Sequence, residues 1–200
     1  MKTTLAARGR PRAFDTERAL DQALRVFWRH GYEGASLAEL TAAMGINRPS
    51  LYAAFGNKEE LFRRALDHYA AGAAEIHETA MREPTARAAV ATVLRAMADG
   101  LSDRNNPRGC LMVQSALACG AAGECVKQEL IARRAAARAA WRKRFQQAKA
   151  EGDLPAGADP ADLARYLSAI AAGMAVEAVN GATRAELHRL AEAALHAWPA

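Results

Sequence analysis

Apolar residues along this chain recur every three to four positions, and no stretch of useful length alternates between apolar and polar residues as a half-buried strand would. Within residues 15–30, for example, Leu20, Leu24 and Phe27 fall on one face of a predicted helix. Alanine, the best helix former, is abundant, and aromatic residues make up only 6% of the chain. The pattern therefore predicts an all-α protein.

Start and stop signals divide the N-terminal third of the chain into three short helices. Gly31 ends the first helix, and the capping box Ser-Leu-Ala-Glu over residues 36–39 begins the second. Gly45 ends the second helix in a tight turn. Asn47 then caps a third helix that carries Pro49 in its first turn, where the missing N–H costs nothing.

The rest of the chain is predicted to form mostly longer helices. Asn57 caps a fourth helix that reaches about residue 81, and Asp159 followed by Pro160 begins the eighth. A second capping box, Thr-Arg-Ala-Glu over residues 183–186, begins the last. The helices after the fourth are expected over residues 84–102, 110–119, 124–151, 160–180 and 183–198.

Residues 36–55 meet the steric requirements of a helix-turn-helix. Gly45 permits the tight turn, and Ile46 fills the angle between the two helices. Leu51 faces inward from the second of these helices. The outward face of that helix, which carries Arg48 and Tyr52, is then free to enter a DNA major groove.

The same segment resembles the DNA-binding segment of the tetracycline-repressor (TetR) family. The matching stretches read GYEGASL at 31–37, MGINRPSLYAAF at 44–55 and NKEEL at 57–61. The resemblance implies a three-helix helix-turn-helix DNA-binding domain followed by a larger helical regulatory and dimerisation domain. The implied divisions are a basic N-terminal arm over 1–14, the DNA-binding domain over 15–62 and the ligand-binding and dimerisation domain over 63–200.

The charge distribution agrees with a DNA-binding role. The formal net charge is +5, and four basic residues with no acidic one precede Asp15. A short basic arm in front of a folded domain is a common nucleic-acid contact. The resemblance implies the following DNA-contacting residues: Arg8, Arg10, Arg12, Ser36, Leu37, Asn47, Arg48, Pro49, Ser50, Tyr52 and Lys58.

By this resemblance the protein is expected to regulate transcription by binding a palindromic double-stranded DNA operator as a homodimer. A repressor released by a small-molecule inducer is the first expectation, and an activator remains open. The family dimerises through its last two helices, and the Ala- and Gly-rich stretch 169–175 would let two helices approach closely. The expected interface residues are Ile170, Gly173, Met174, Leu187, Leu190 and Leu195. Packing of these faces within one subunit is the alternative.

A ligand pocket is expected in the C-terminal part of the chain. The candidate lining residues are Met97, Met112, Trp141, Phe145 and Tyr166, although aromatic and methionine side chains at helical spacing also suit an ordinary core. The predicted helix over 124–151 is strongly basic. Its charges could attract an acidic ligand or DNA, but we interpret them as a solvated face.

Cys110 is the candidate sensor residue. It lies at the predicted start of a helix, where the helix N-terminus lowers the pKa of a thiol, and Arg108 is close by in sequence. An alternative function is therefore a thiol- or electrophile-responsive redox regulator with the same DNA-binding head. A third alternative is a helical ligand- or partner-binding module that has no DNA role.

Several other classes of protein find little support. The three cysteines, with no secretory signal, indicate reduced thiols and a cytoplasmic protein. The histidines lack metal-ligand spacing, so no metal site is expected. No nucleophile elbow, phosphate loop or paired-acid motif is present, so neither catalytic residues nor a cofactor are expected. The longest apolar stretch, near 170–176, is far shorter than the roughly 20 residues of a membrane span.

Overall fold

The computed structural model describes residues 15–118 and 123–199, and the elements whose bounds lie within those ranges are α-helices. The all-α expectation is confirmed. The basic arm over 1–14 and Cys119 lie outside the described residues. The helices are α1 (Thr16–Gly34), α2 (Leu37–Met44), α3 (Arg48–Phe55), α4 (Lys58–Arg82), α5 (Ala86–Leu101), α6 (Leu111–Ala118), α7 (Glu124–Ala150), α8 (Pro160–Val179) and α9 (Arg184–His196).

The first helix runs further than its predicted end. Gly31 has φ 69° and ψ −178°, so the backbone leaves the helical conformation there, as the glycine signal predicted. The chain then resumes a short helical segment to Gly34 before Ser36 caps α2. Gly31 is therefore a kink inside α1 rather than its end.

One hydrophobic core joins α1, α2, α3 and the N-terminal part of α4. The Phe27 and Phe62 rings pack edge to face with centroids 4.9 Å apart, and both side chains are completely buried. The same core takes in Leu111 from α6 and Val126 and Leu130 from α7. The predicted domain boundary after residue 62 falls inside the continuous helix α4 and stays a prediction.

A second core lies among α5, α7, α8 and α9. Phe145 is completely buried at its centre, with its ring centroid 5.5 Å from that of Trp141 and 5.2 Å from that of Trp198. The Tyr166 hydroxyl of α8 donates a hydrogen bond to the Ala194 carbonyl of α9 at 3.2 Å. These aromatic side chains therefore hold the C-terminal helices together.

The expected dimer residues divide between this core and the surface. Met174, Leu187 and Leu195 are at most 1% exposed within the single chain. Because they already fill the space between α8, α9 and their neighbours, they are unavailable to a partner, and the expectation is corrected for these three. Ile170 and Leu190 are half-buried against the same core.

Two arginines and two acids join α4 to α7 through ion pairs. The Glu129 carboxylate accepts hydrogen bonds from Arg63 Nε at 2.7 Å and Arg133 Nη2 at 2.7 Å. Arg133 also pairs with Asp67 at 2.7 Å. Burial raises the pKa of Glu129, but the hydrogen bonds from Arg133 and Arg63 outweigh that effect and hold its pKa below the usual value.

This network predicts an acid-sensitive contribution to stability. Because the pKa of Glu129 is lower in the folded than in the unfolded chain, its stabilisation is present above the usual glutamate pKa of about 4.3 and is lost as pH falls through the lower folded value. We expect Glu129→Gln to reduce stability at pH 7 and to flatten its decline below pH 5, measured by urea unfolding. Glu75→Gln, at an exposed site on α4, is the control. Parallel pH profiles for wild type and Glu129→Gln would contradict the prediction.

Candidate nucleic-acid interface and regulatory cavity

The turn between α2 and α3 fixes the angle between these two helices. Gly45 has φ 68° and ψ 30°, a left-handed conformation that glycine adopts without steric cost. The Gly45 N–H donates to the Ala42 carbonyl at 3.3 Å, and the Ile46 N–H donates to the Thr41 carbonyl at 3.1 Å. These two bonds satisfy carbonyls at the end of α2 and form a Schellman-type stop. The half-buried Ile46 packs against the N-terminal core.

Helix α3 has one buried face and one free face. The Asn47 side chain caps it by accepting the Ser50 N–H at 2.9 Å. Leu51 and Phe55 are completely buried, whereas Tyr52 remains 49% exposed. Arg48 and Pro49 are exposed, and Ser50 is half-buried. A guanidinium and a phenol thus stand on the outer face of a short helix whose other face is fixed by the core.

A capping box formed by Ser36 and Glu39 begins α2. The Ser36 hydroxyl donates to Glu39 Oε2 at 2.7 Å and accepts the Glu39 N–H at 3.1 Å, which completes the predicted capping box. The Ser36 backbone N–H also donates to Glu39 Oε2 at 3.0 Å, and the hydrogen bonds that the hydroxyl and this N–H donate to the carboxylate lower the pKa of Glu39. The N–H groups of Leu37 and Ala38, in the first turn of α2, remain the donors that a phosphate would meet. The Leu37 side chain is half-buried against the core.

Lys58 is directed towards the end of α1. Its Nζ donates to the Glu33 carbonyl at 3.4 Å and lies 4.8 Å from the centroid of the Tyr32 ring. Burial lowers the pKa of Lys58, while the neighbouring charges of Glu33 and Glu39 oppose that effect. The ammonium therefore lies beside the N-terminal end of α2.

Arg64 on α4 is a residue that the sequence analysis missed. Its Nη1 donates to the Ala54 carbonyl at 3.0 Å, and its guanidinium lies 5.7 Å from the Phe55 ring centroid. The cation meets carbonyl groups that are left without helical partners at the end of α3. The sequence shows a basic residue shortly after the third helix. It does not show that this residue contacts the end of α3, because that contact depends on how α4 packs against α3.

A cavity of about 600 Å³ lies among α1, α4, α5, α6, α7 and α8. Its volume is in the range of small-molecule sites. Met97 and Met112 line it. Trp141 and Phe145 do not, because both side chains are buried in the second core, and the expectation for these two is corrected. Tyr166 lines a separate pocket beside Leu163 and Pro199, so its role in ligand binding stays a prediction.

Cys110 also lines the cavity, immediately before the first residue of α6. Its Sγ accepts a hydrogen bond from the Tyr69 hydroxyl at 3.4 Å. Burial raises the pKa of Tyr69, so that phenol stays protonated and acts as the donor. Arg108 does not serve the thiol as expected, because its Nη1 donates to the Ala178 and Ala182 carbonyls.

Trp28 on α1 connects the N-terminal helices to this cavity. Its Nε1 donates to the Gly109 carbonyl at 3.1 Å, and its ring packs edge to face with Tyr69 at 4.8 Å between centroids. Trp28 also forms part of the cavity wall. A tryptophan at a buried position of α1 was predictable as core, but its contact with a loop 81 residues away was not.

Residues 15–118 and 123–199 contain neither a membrane-crossing helix nor a metal-binding cluster. No helix there combines the length and apolar character that crossing a membrane requires. No three His, Cys, Asp or Glu side chains among those residues are grouped so that they could hold a metal ion.

Two family models match the chain. One describes bacterial regulatory proteins of the tetR family and matches residues 19–65, which include α2 and α3. The other describes the tetracyclin repressor-like C-terminal domain and matches residues 86–194.

Individual relatives match over nearly the whole chain. The HTH-type transcriptional repressor ComR of Escherichia coli is 36% identical over 195 residues, which are 96% of this chain and 93% of ComR. The TetR family transcriptional regulator CifR, solved as a cysteine mutant with a 26-base-pair double-strand operator DNA, is 43% identical with a TM-score of 0.90. That alignment covers 96% of this chain and 100% of CifR. With its helix-turn-helix geometry, this chain belongs to the TetR family of bacterial regulatory proteins and is a helix-turn-helix transcriptional regulator.

Proposed function

We propose that this regulator is a repressor that binds a palindromic double-stranded operator as a homodimer and is released by a small molecule. The observation that carries the proposal is the outer face of α3, where Arg48 and the half-exposed Tyr52 are held on a helix with a completely buried inner face. Such a helix can enter a major groove as a rigid body. DNA is in the bacterial cytoplasm, where the protein would act.

The residues at this surface would make two kinds of DNA contact, one to base edges and one to backbone phosphates. Arg48 and Tyr52 would contact base edges, with Arg48 suited to a bidentate bond with guanine. The start of α2 and Lys58 would contact one backbone phosphate from two sides. The remaining proposed contacts are Ser36, Leu37, Asn47, Pro49, Ser50 and, in the arm, Arg8, Arg10 and Arg12.

The proposed dimer would use the outer faces of α8 and α9. Val176 and Val179 of α8 are 44% and 52% exposed, although both are large apolar residues. Gly173 is exposed on the same helix. Ile170 of α8 and Leu190 of α9 are half-buried. An interface between two copies would remove this apolar surface from water and would provide the two-fold symmetry that a palindromic operator requires.

Release by a ligand would act through α4. This helix contributes Leu61 and Phe62 to the core behind α3, and further along it His68 and Tyr69 line the cavity. A molecule in the cavity would therefore touch the helix against which α3 is positioned. If the ligand favours a position of α4 that does not suit DNA binding, the ligand would weaken DNA binding, and bound DNA would weaken ligand binding by the same factor.

The thiol-responsive alternative has less support. Cys110 is half-buried, and its sulfur is hydrogen-bonded to a neutral phenol rather than to a cation. Proteins that use a reactive cysteine place it in an electropositive and accessible setting. If hydrogen peroxide releases the wild type from DNA but not the Cys110→Ser variant, the thiol function replaces ligand release.

Selection from a random duplex library by the full chain, under reducing and ligand-free conditions, tests the proposal. A palindromic winner is expected, bound by two protomers, with the logarithm of affinity falling linearly with the logarithm of salt concentration. A reporter gene downstream of the selected site then distinguishes repression from activation. No enrichment, or enrichment of a sequence without symmetry, would contradict the proposal.

A further inference from the structure

We propose that the cavity takes an organic anion, with a carboxylate or similar head on a bulky apolar body. This inference rests on the proposed function, in which the cavity holds the inducer, and it names the chemical class of that ligand. It follows from the charges that line the cavity and from the distribution of acidic residues around it.

Two arginines on successive turns of α7 carry the inference. Arg134 and Arg138 both line the cavity and are half-buried. Within residues 15–118 and 123–199, neither guanidinium has a hydrogen-bond or ion-pair partner. Their neighbour Arg133, in contrast, is paired with both Glu129 and Asp67. Asp67 and Glu129, the acids that join α4 to α7, are thus paired with other arginines.

The rest of the lining contributes no negative charge. His68 and His77 of α4 are among the lining residues, and none of the lining residues in the described ranges is an aspartate or a glutamate. The His77 ring is supported by Trp141, whose ring centroid lies 5.7 Å away. Because the two guanidiniums line the cavity and no acidic side chain of the described ranges lines it with them, an anion in the cavity could accept charge-assisted hydrogen bonds that a neutral molecule could not match.

The remaining lining selects against a bare inorganic ion. Trp28, Ile76, Met97 and Met112 present apolar surface to a space of about 600 Å³. A sulfate or phosphate ion would leave most of that surface in contact with water. An organic anion would place its head on the arginines, whose planar fork matches a carboxylate, and its body on the apolar wall.

Titration calorimetry on the full chain without DNA tests this inference. The probes are naphthalene-2-carboxylate and 2-naphthamide, which share a ring system and differ in charge. We expect the carboxylate to bind once per protomer and about tenfold or more tighter than the amide. In the double variant Arg134→Gln/Arg138→Gln, this preference should disappear.

Two controls separate the local effect of the arginines from other effects. Arg142→Gln changes an exposed arginine of α7 that does not line the cavity, and the variant should keep the wild-type preference. If the double glutamine variant does not fold, as judged by circular dichroism, Arg134→Lys and Arg138→Lys replace it. These variants keep the charge but lose the planar fork, so they should weaken carboxylate binding while leaving amide binding unchanged.

Several results would overturn the inference. Equal binding of carboxylate and amide, binding of neither, or an unchanged preference in the folded double variant would each do so. So would sulfate that binds as tightly as the carboxylate at the same arginines. If the carboxylate binds as expected but operator DNA is not released, the anion site stands and the proposed inducer role fails.

Discussion

Replacing Tyr52 with alanine is expected to weaken binding to the selected operator by about tenfold to a hundredfold and to leave stability almost unchanged. Half of the Tyr52 side chain is already in water, so its removal leaves no cavity in the core formed by Leu51 and Phe55. Arg48→Ala should have an effect of similar size, because an Arg–guanine pair carries sequence information. Fluorescence anisotropy with labelled duplex measures both effects.

A comparison with Lys58→Met separates base contacts from phosphate contacts. Loss of a phosphate contact should weaken operator and unrelated DNA to the same extent and reduce the salt slope by about 1. Loss of Arg48 or Tyr52 should weaken the operator more than unrelated DNA. If Arg48→Ala weakens both duplexes equally, Arg48 contacts phosphate only. If Tyr52→Ala binds the operator as tightly as wild type, the proposed reading face of α3 is wrong.

Gly109→Ala should lower the free energy of unfolding by about 2 kcal/mol or more. Gly109 has φ +86°, where an L-residue is strained. An added Cβ would also overlap Gln114 Nε2, and it would lie 2.6 Å from Val179 Cγ2 and 3.2 Å from the Ala175 carbonyl oxygen. Relief of these contacts requires movement of the loop from α8. Urea unfolding at pH 7 gives the change.

The chain contains a matched control for this substitution. Gly152 has φ +81°, and an added Cβ there would meet no atom within 4 Å. Gly152→Ala should therefore show the backbone cost alone, about 1 kcal/mol. The difference between the two variants isolates the steric overlap at Gly109. Equal losses of stability in the two variants would contradict the prediction, because they would mean that the loop before α6 moves away from α8 without cost.

The helix boundaries could be predicted because several are encoded by local chemistry. Ser36, Asn57 and Thr183 each accept the N–H of a glutamate three residues later, and each glutamate carboxylate reaches back to the capping residue. Such bonds depend on four consecutive residues and on no distant neighbour. The buried face of α3 was equally predictable, since Leu51 and Phe55 lie one helical turn apart and both are buried.

The cavity could not be predicted from the sequence because its lining depends on tertiary neighbours. Arg134, Arg138 and Arg142 belong to one basic helix, and we interpreted all of its charges as a solvated face. Only the packing of α7 against the other helices directs the first two into the cavity and leaves Arg142 exposed. Similarly, the helical spacing of apolar residues in α9 indicates that Leu187 is buried. This spacing does not indicate whether the same chain or a partner protomer covers the residue.

The shared core at the N-terminal end has a consequence for protein engineering. Leu111, Val126 and Leu130, from α6 and α7, complete the core formed by the first four helices. A fragment that ends after α4 would lack these three side chains and would leave part of the core that they complete exposed to water. The first four helices therefore do not form a complete hydrophobic core without α6 and α7. A chimeric regulator that contains these four helices must also contain α6 and the first two turns of α7. Otherwise its other domain must place apolar side chains of equivalent shape against the same core.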